Sequence, residues 1–563
     1  MTPARADILQ VAPERLVMLM LVIAAGVALV LSRLIWLGLM AQGPEGRDAL
    51  ALVPLRGDIV DRNGAPLART IDIWAIQVAR HELANDPADL AGKLAQIMPE
   101  HDRAWYYRQL TSGPRYNYLA QRALPETVNA VNALGEPGIR FARVPERLYP
   151  QTVLAAHALG PIDASGHGVS GVERALDDQL TNPIARARPA MLSLDARVQA
   201  AVEAELGNAM TSFQAKGAAG LVLDVATGEV VAMASLPNFD PNRPPAIANP
   251  KDPFDPAALM LRNNVVQSVY ELGSTFKPIT MAAAIDSGVV GSMARRFDAT
   301  EPLAIGGFKI KDDHPQRRYL NIPETLVHSS NIATARIADE LGAERMQAMF
   351  RKLGFDTRPD ITLKERGRPI WPVSWGRVAT MTTAYGHGIA ITPLQLASAY
   401  AALVNGGIWR PATLLRLAPG QVPAGRRVIS PATSARMRQL LRLVVLKGTG
   451  KKAEAPGYRV GGKTGTAEVA TKAGYAKNRN VSTFAAAFPM DAPRYVVVVM
   501  IDSPIASAAS AGQTTAGWTA APVVSRVIMR TGSMLGVTPD RNRDVDVAEL
   551  MPLLWSAPGD ADE

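Results

Sequence analysis

The apolar positions of this chain follow two periods, and the places where the period changes mark its parts. Val198, Val202, Leu206 and Met210 recur four residues apart behind Asp195, a side chain suited to capping, which predicts a helix with one buried stripe. Gly220-Leu-Val-Leu-Asp-Val225 and Glu229-Val-Val-Ala-Met-Ala-Ser235 are rich in strand formers and flank Ala226-Thr-Gly228, a loop short enough for a hairpin. The arrangement returns at Val481 to Phe488 and Tyr495 to Ile501. Their connection, Pro489-Met-Asp-Ala-Pro493, is too short for a crossover helix, so this pair is antiparallel as well. Between the hairpins, Phe276 to Ser287, Pro323 to Leu341 and Thr392 to Val404 read as helices, the first ended by Gly288 and the last by Gly406-Gly407. A sheet with helices around it predicts an α/β or α+β domain from about 191 to 535.

The N-terminal third has a different texture. Leu16 to Ser32 carries no charge, and after Arg33 the apolar run resumes to Met40, which is long enough to cross a bilayer core of about 30 Å. A single anchor over 16–40 behind a short N-terminus, 1–15, is expected. A cleaved signal peptide competes with it, but no clear small-x-small cleavage site follows, Arg33 can snorkel, and Trp36 suits an interface. Counting Arg5 and Arg15 against Arg33, Arg47 and Arg56 does not orient the anchor. Gln42 to Asp48 reads as a linker. Leu52 to Leu67 reads as strand, turn and strand around Asp61-Arg-Asn-Gly64, and Pro87 to Met98 as an amphipathic helix. No catalytic cluster appears before Pro189, so 41–190 is expected to be a mixed α/β pedestal. Val537 to Glu563, acidic at its end, is expected to be a partly disordered tail after a catalytic domain over 191–535.

Composition narrows the chemistry. At 563 residues the chain exceeds one ordinary core, and with 48% hydrophobic and 20% charged residues it has the makeup of a folded protein. The net charge of +9 is scattered rather than massed, which argues against nucleic acid as a partner. The absence of cysteine excludes thiolate catalysis and Cys-ligated metals. His81, His101, His157, His167, His314, His328 and His387 form no His-Glu-x-x-His pair, so neither a zinc enzyme nor any other metal cofactor is indicated.

Three short elements carry reactive chemistry. In Gly273-Ser274-Thr-Phe-Lys277-Pro278, helical spacing brings Ser274 and Lys277 to one face, a nucleophile beside a base whose pKa must be lowered by burial or by a second cation. Pro278 fits only near a helix start, which places Ser274 at an exposed helix N-terminus. Roughly one Ser-x-x-Lys is expected by chance in a chain this long, so alone it reads equally as a surface helix. Ser329-Ser330-Asn331 offers a proton relay in Ser329 and a peptide-binding amide in Asn331, though by itself it reads as a helix cap. Gly461-Gly-Lys463-Thr464-Gly465-Thr466-Ala467-Glu468 sets a cation and two hydroxyls along an extended strand, a carboxylate site by type.

Gly457 to Thr464 also satisfies the P-loop pattern G-x-x-x-x-G-K-[ST], with Val496 to Asp502 imitating the following apolar strand. Against a nucleotide site stand Gly465 and Thr466, a poor helix start, and the tight antiparallel connection to Val496 where a P-loop sheet is parallel.

Taken in order, about 55 and about 134 residues apart, the three elements resemble the motifs of the penicilloyl-serine transferase superfamily: Ser274-Thr-Phe-Lys277, Ser329-Ser-Asn331 and Lys463-Thr-Gly465. Arg56-Gly-Asp-Ile-Val-Asp-Arg-Asn-Gly64 resembles the pedestal signature of class B penicillin-binding proteins, and Tyr385-Gly-His-Gly-Ile-Ala-Ile-Thr-Pro-Leu-Gln395 their stretch between the second and third motifs. Leu326 to Ala335 and Phe484 to Tyr495 look most like the division-specific FtsI group, with the elongation-specific group as the near alternative.

The resemblance implies an α+β, β-lactamase-like transpeptidase domain with an antiparallel sheet flanked by helices. It implies a peptidoglycan D,D-transpeptidase, inhibited by β-lactams, that needs no cofactor. Ser274 would attack the stem peptide's terminal D-Ala-D-Ala bond with Lys277 as base, Lys463 would depress the Lys277 pKa, Ser329 would pass the proton on, and Asn331 would orient the acyl side. The amides of Ser274 and Thr466 would form the oxyanion hole, and Thr464 and Thr466, within Lys463-Thr464-Gly465-Thr466, would bind the terminal carboxylate. It also implies an inner-membrane anchor, a periplasmic catalytic domain, and an FtsW-type glycosyltransferase and other divisome proteins as partners. A class A β-lactamase would need a Glu-x-x-Leu-Asn segment, which is missing between Asn331 and Lys463, and a β-lactam sensor would need further spans.

Overall fold

The computed structural model describes residues 17–33, 36, 55–252, 254–471 and 474–555. The expected N-terminus, the linker at Gln42 to Asp48, most of the anchor beyond Arg33 and the tail from 556 lie outside the described residues. Residues 17–33 are helical, with Leu21, Val22 and Leu29 exposed, and the Arg33 guanidinium stands 4.3 Å from the centre of the Trp36 ring. Among the described residues no helix is long and apolar enough to cross a membrane.

The chain divides into two compact units, one of residues 1–54 with 72–145 and one of residues 55–71 with 146–563. In the first, Asp86 and Asp102 cap the helices Pro87–Ile97 and Arg103–Thr111 by accepting from Asp89 N and Trp105 N. Their apolar stripes, Leu90 and Leu94 on one and Tyr106 and Leu110 on the other, close on Ile76, Val78 and Leu119 of the neighbouring strands.

The second unit begins with the Arg56 to Gly64 signature, and the structure gives that signature a physical content. The buried Asp61 carboxylate accepts from Asn63 N, Ala65 N and Ala196 N, so one side chain closes the turn and fastens it to the next helix. Arg56 donates to Glu173 Oε2 at 2.8 Å and to Asp177 Oδ1 at 2.6 Å, while Arg147 Nε reaches Glu173 Oε1 at 2.7 Å and Tyr149 O–H the same oxygen at 3.2 Å. Buried charges survive only when paired in this way.

The rest of this unit is a five-stranded antiparallel sheet between two layers of helix. Asp195 caps α1 (Ala196–Phe213). The strands are β1 (Gly217–Asp224), β2 (Val230–Leu236), β3 (Gly461–Thr471), β4 (Gly474–Phe488) and β5 (Tyr495–Asp502), ordered β3-β4-β5-β1-β2. Among the helices after α1 are α2 (Lys277–Asp286), α3 (Ile322–Val327), α4 (Asn331–Leu341), α5 (Pro393–Val404), α6 (Pro431–Lys447) and α7 (Ala520–Thr531). The central β5 explains its unbroken apolar run. Val496, Val498 and Met500 enter the core containing Phe276, Ile279 and Tyr400, whereas Val497, Val499 and Ile501 enter the core of α1 and α7 with Val202, Leu206 and Ile528. Both hairpins read from the sequence are present, and β5 pairs antiparallel with β4 and β1.

Two expectations are corrected. Pro323 to Leu341 is not one helix but α3 and α4, because Ser329 adopts a left-handed φ of +58° and Ser330 caps a new start by accepting from Ala333 N. Residues 537–555 are not a loose tail, since Val537 and Leu550 are buried and Asp544 pairs with Arg442.

Candidate active site

The first element of the site is built by a change of helix type. Gly273–Phe276 forms a 3-10 turn and α2 starts at Lys277, with Pro278 in its first turn where a missing N–H costs nothing. Ser274 therefore sits on the turn that leads into α2, at the floor of a cavity of about 510 Å³. Lys277, one turn on, is fully buried beneath it. Burial pushes the Lys277 ammonium down to about 7, against the pull of Asp312 and Asp313, which favour its charged form. Its Nζ donates to the Ser329 carbonyl and, at 3.1 Å, to Ser329 Oγ.

The second element is the α3–α4 junction. Ser330 N donates to Thr325 O and Ser329 N to Leu326 O, the pattern that ends a helix with its penultimate closing residue in the left-handed region. Glycine usually fills that place, and a serine there costs roughly 1–3 kcal/mol. Only a residue with a hydroxyl can present Oγ to Lys277, so the strain is spent where the chemistry is. Asn331 Nδ2 donates to Lys311 O at 2.8 Å, which leaves its second amide hydrogen and its carbonyl for a ligand.

The third element is β3, an edge strand whose outer side borders the cavity. Thr464, Thr466, Ala467 and Glu468 line that cavity, while Lys463 points into the protein and is 0% exposed. Lys463 Nζ reaches the cavity only through Thr464, donating to its Oγ1 at 3.0 Å, and Thr464 Oγ1 pairs with Thr449 Oγ1 at 2.8 Å. Thr466 Oγ1 accepts from Ala516 N at 3.1 Å, so its own O–H remains to donate. Burial first and the neighbouring Lys277 second hold Lys463 well below the ordinary lysine value. The expectation that Lys463 lowers Lys277 is reversed: burial is the main force on both lysines, and it is Lys463 that the neighbouring Lys277 lowers further. Gly465 does not face the cavity. A Cβ on it would lie 2.2 Å from Leu272 O and 3.2 Å from Thr275 N, so glycine is what lets β3 lie against the serine turn.

Ser274, Ser329, Asn331, Thr464 and Thr466 thus meet at one cavity, with Lys277 and Lys463 behind its wall. The motifs did not reveal Asp313, His314, Thr449, Asn480 or Trp518, and His328 was visible only within the Leu326 to Ala335 stretch; all of them line it too. Tyr385 and His387 were visible only as part of a resembling stretch. His387 Nδ1 lies 2.8 Å from Glu271 Oε2, and Lys452 Nζ stands 4.2 Å from the Trp518 ring centre. Burial and Arg318 hold His328 below its ordinary value. The P-loop alternative fails on geometry. Lys463-Thr464 lies within a strand paired antiparallel to β4 and precedes no helix.

Comparison with known families agrees with this geometry. Residues 218–528 match the penicillin binding protein transpeptidase domain, and residues 51–182 match the penicillin-binding protein dimerisation domain. The probable peptidoglycan D,D-transpeptidase FtsI of Caulobacter vibrioides is 40% identical over 511 residues, 88% of this chain and 83% of that protein. The chain belongs to the FtsI-like class B penicillin-binding proteins. It is a serine-type peptidoglycan D,D-transpeptidase. The peptidoglycan D,D-transpeptidase FtsI of Escherichia coli is 29% identical over 86% of this chain and 84% of its own. Among solved structures, penicillin-binding protein 3 of Mycobacterium tuberculosis complexed with ampicillin superposes with a TM-score of 0.67 at 26% identity, covering 88% of this chain and 98% of that one. The three motifs come from separate stretches and meet only in the folded domain.

Proposed function

We propose that Ser274 is the nucleophile with which this class B penicillin-binding protein cross-links stem peptides at the division septum. The observation that carries the reading is Lys277, a lysine brought to about 7 by burial, one turn from a cavity-facing serine and hydrogen-bonded to Ser329. Neutral Lys277 takes the Ser274 hydroxyl proton as Oγ attacks the carbonyl between the two terminal D-alanines. The ammonium so formed is held by the Ser329 carbonyl, and Ser329 Oγ passes the proton to the nitrogen of the departing D-alanine. The amides of Ser274 and Thr466 receive the oxyanion, a role supported by the close approach of the two segments, since a Cβ on Gly273 would lie 2.8 Å from Thr466 O. Thr464 and Thr466 hold the terminal carboxylate, with Lys463 supplying positive potential from behind when it is charged. Asn331 binds the donor peptide, and an amine of a neighbouring stem then attacks the ester, regenerating Ser274. β-Lactams enter by the same first step.

The helix at 17–33 with its exposed apolar side chains supports a single-pass anchor, and membership of the FtsI-like family supports the inner membrane, a periplasmic catalytic domain, and contact with an FtsW-type glycosyltransferase and the divisome through anchor and pedestal. The test of the central reading is labelling of the detergent-solubilised full chain by a fluorescent penicillin beside Ser274→Ala. A stable covalent band lost in the variant is expected, and its slow decay separates a transpeptidase from a β-lactamase. A folded parent that takes no label would overturn the assignment.

A further inference from the structure

The turn that carries Ser329 and Asn331 is fastened by a residue outside all three motifs. Asp312 lies in the loop before Tyr319, is 8% exposed, and turns its carboxylate onto this turn alone. Its Oδ1 accepts from Asn331 N at 2.6 Å and Ile332 N at 3.0 Å, and its Oδ2 accepts from Ser330 Oγ at 2.7 Å. The residue before it, Lys311, adds the carbonyl that fixes the Asn331 amide. We propose that Asp312 is a positioning residue of the acylation step, its carboxylate pinning the Ser329–Asn331 turn over the Lys277 side chain. This deepens, and rests on, the reading of Ser274 and Lys277 as nucleophile and base.

A helix cap alone does not account for Asp312. α4 already has its cap in Ser330, whose Oγ accepts from Ala333 N at 3.0 Å. A carboxylate is expensive to bury when its partners are neutral O–H and N–H groups rather than a cation. Across the turn from these neutral partners lies Lys277, whose charged form Asp312 favours. The two effects serve one step. The left-handed Ser329 keeps its Oγ and carbonyl on Nζ because residues 330–332 cannot shift, and the ammonium formed when Ser274 gives up its proton sits beside a counter-charge. The charged groups that bear on Lys277 are Asp312 and Asp313 from the loop and Lys463 from β3, while His314, His328, His387 and Glu468 share the cavity.

The experiment measures the acylation rate of the full-length chain in detergent by a fluorescent penicillin across about pH 5–9, spanning the Lys277 transition. The proteins are the parent, Asp312→Asn and Asp312→Ala, each with its melting temperature. Asparagine is isosteric: its oxygen keeps the two backbone N–H groups, and its NH2 donates to Ser330 Oγ, so the turn stands while the charge is gone. The expected result is a fall of the pH midpoint by roughly one unit in Asp312→Asn, and in Asp312→Ala a plateau rate lower by roughly 10–100-fold. Parent-like midpoints and plateaus in both variants would overturn the proposal, leaving Asp312 a cap only. If Asp312→Ala fails to fold, the midpoint of Asp312→Asn decides alone. A parent without Ser274-dependent label would instead overturn the underlying assignment, and this inference with it.

Discussion

Lys277 and Ser329 are each held in a state that an isolated residue avoids, one dehydrated and one in a left-handed backbone conformation. For Lys277 the sign of the effect on stability follows from the direction of its shift. Between about 7 and the ordinary value of 10.5 the unfolded chain holds a proton that the folded one has lost, so stability from this residue rises with pH across that window and is lowest below it. Replacing Lys277→Met should therefore raise the melting temperature at pH 7 while abolishing acylation, and the gain should shrink as the pH approaches 10. Thermal melts of both proteins across that range check it, and a gain that does not depend on pH would contradict the assignment of a lowered pKa. The spacing of Ser274 and Lys277 suggested that the two pair, and in the structure the Lys277 Nζ donates to Ser329. The spacing carried no sign of that bond, because the contact spans two separate helices.

At the scale of elements, the site depends on two segments whose backbones approach closely. β3 lies on the 3-10 turn of Ser274 because Gly465 leaves room for Leu272 O. Gly465→Ala should push the turn and the strand apart and lower the penicillin acylation rate by roughly 100-fold or more, with a lower melting temperature. Rates near those of the parent would show that β3 can give way without disturbing Ser274. The sequence set Lys463, Thr464 and Thr466 along one extended strand, and the structure brings Thr464, Thr466, Ala467 and Glu468 to the cavity while Lys463 Nζ bonds Thr464 Oγ1 from within the protein. It misread Pro323 to Leu341 as a single helix. The apolar period carries on through α3 and α4, and only the backbone turn at Ser329 breaks it.

Across the whole molecule, the Arg56 signature acts by joining parts distant in the chain. Glu173 accepts from Arg56, Arg147 and Tyr149 at once. Glu173→Ala leaves two buried guanidiniums without their shared carboxylate and should cost about 3–5 kcal/mol. Denaturant unfolding of the full chain measures this, and a loss below about 1 kcal/mol would mean that water replaces the carboxylate. The tail makes a similar long-range attachment. Val537 to Glu563 read as a partly disordered tail because its polar residues outnumber its anchors, yet within 537–555 Leu550 is fully buried and Asp544 meets Arg442.

By itself the sequence determined the parts that rest on local physics: the two hairpins, the capped α1, the three motifs and their residue types. Periodicity, turn residues and the spacing of reactive groups are all properties of neighbours along the chain. Tertiary structure alone decided how Ser274, Ser329 and Thr464 come to one cavity, that burial sets the charge of Lys277, and that Asp312 fastens the second motif. Each of these depends on contacts between residues far apart in sequence and on the exclusion of water, and neither is written in any single stretch of the chain.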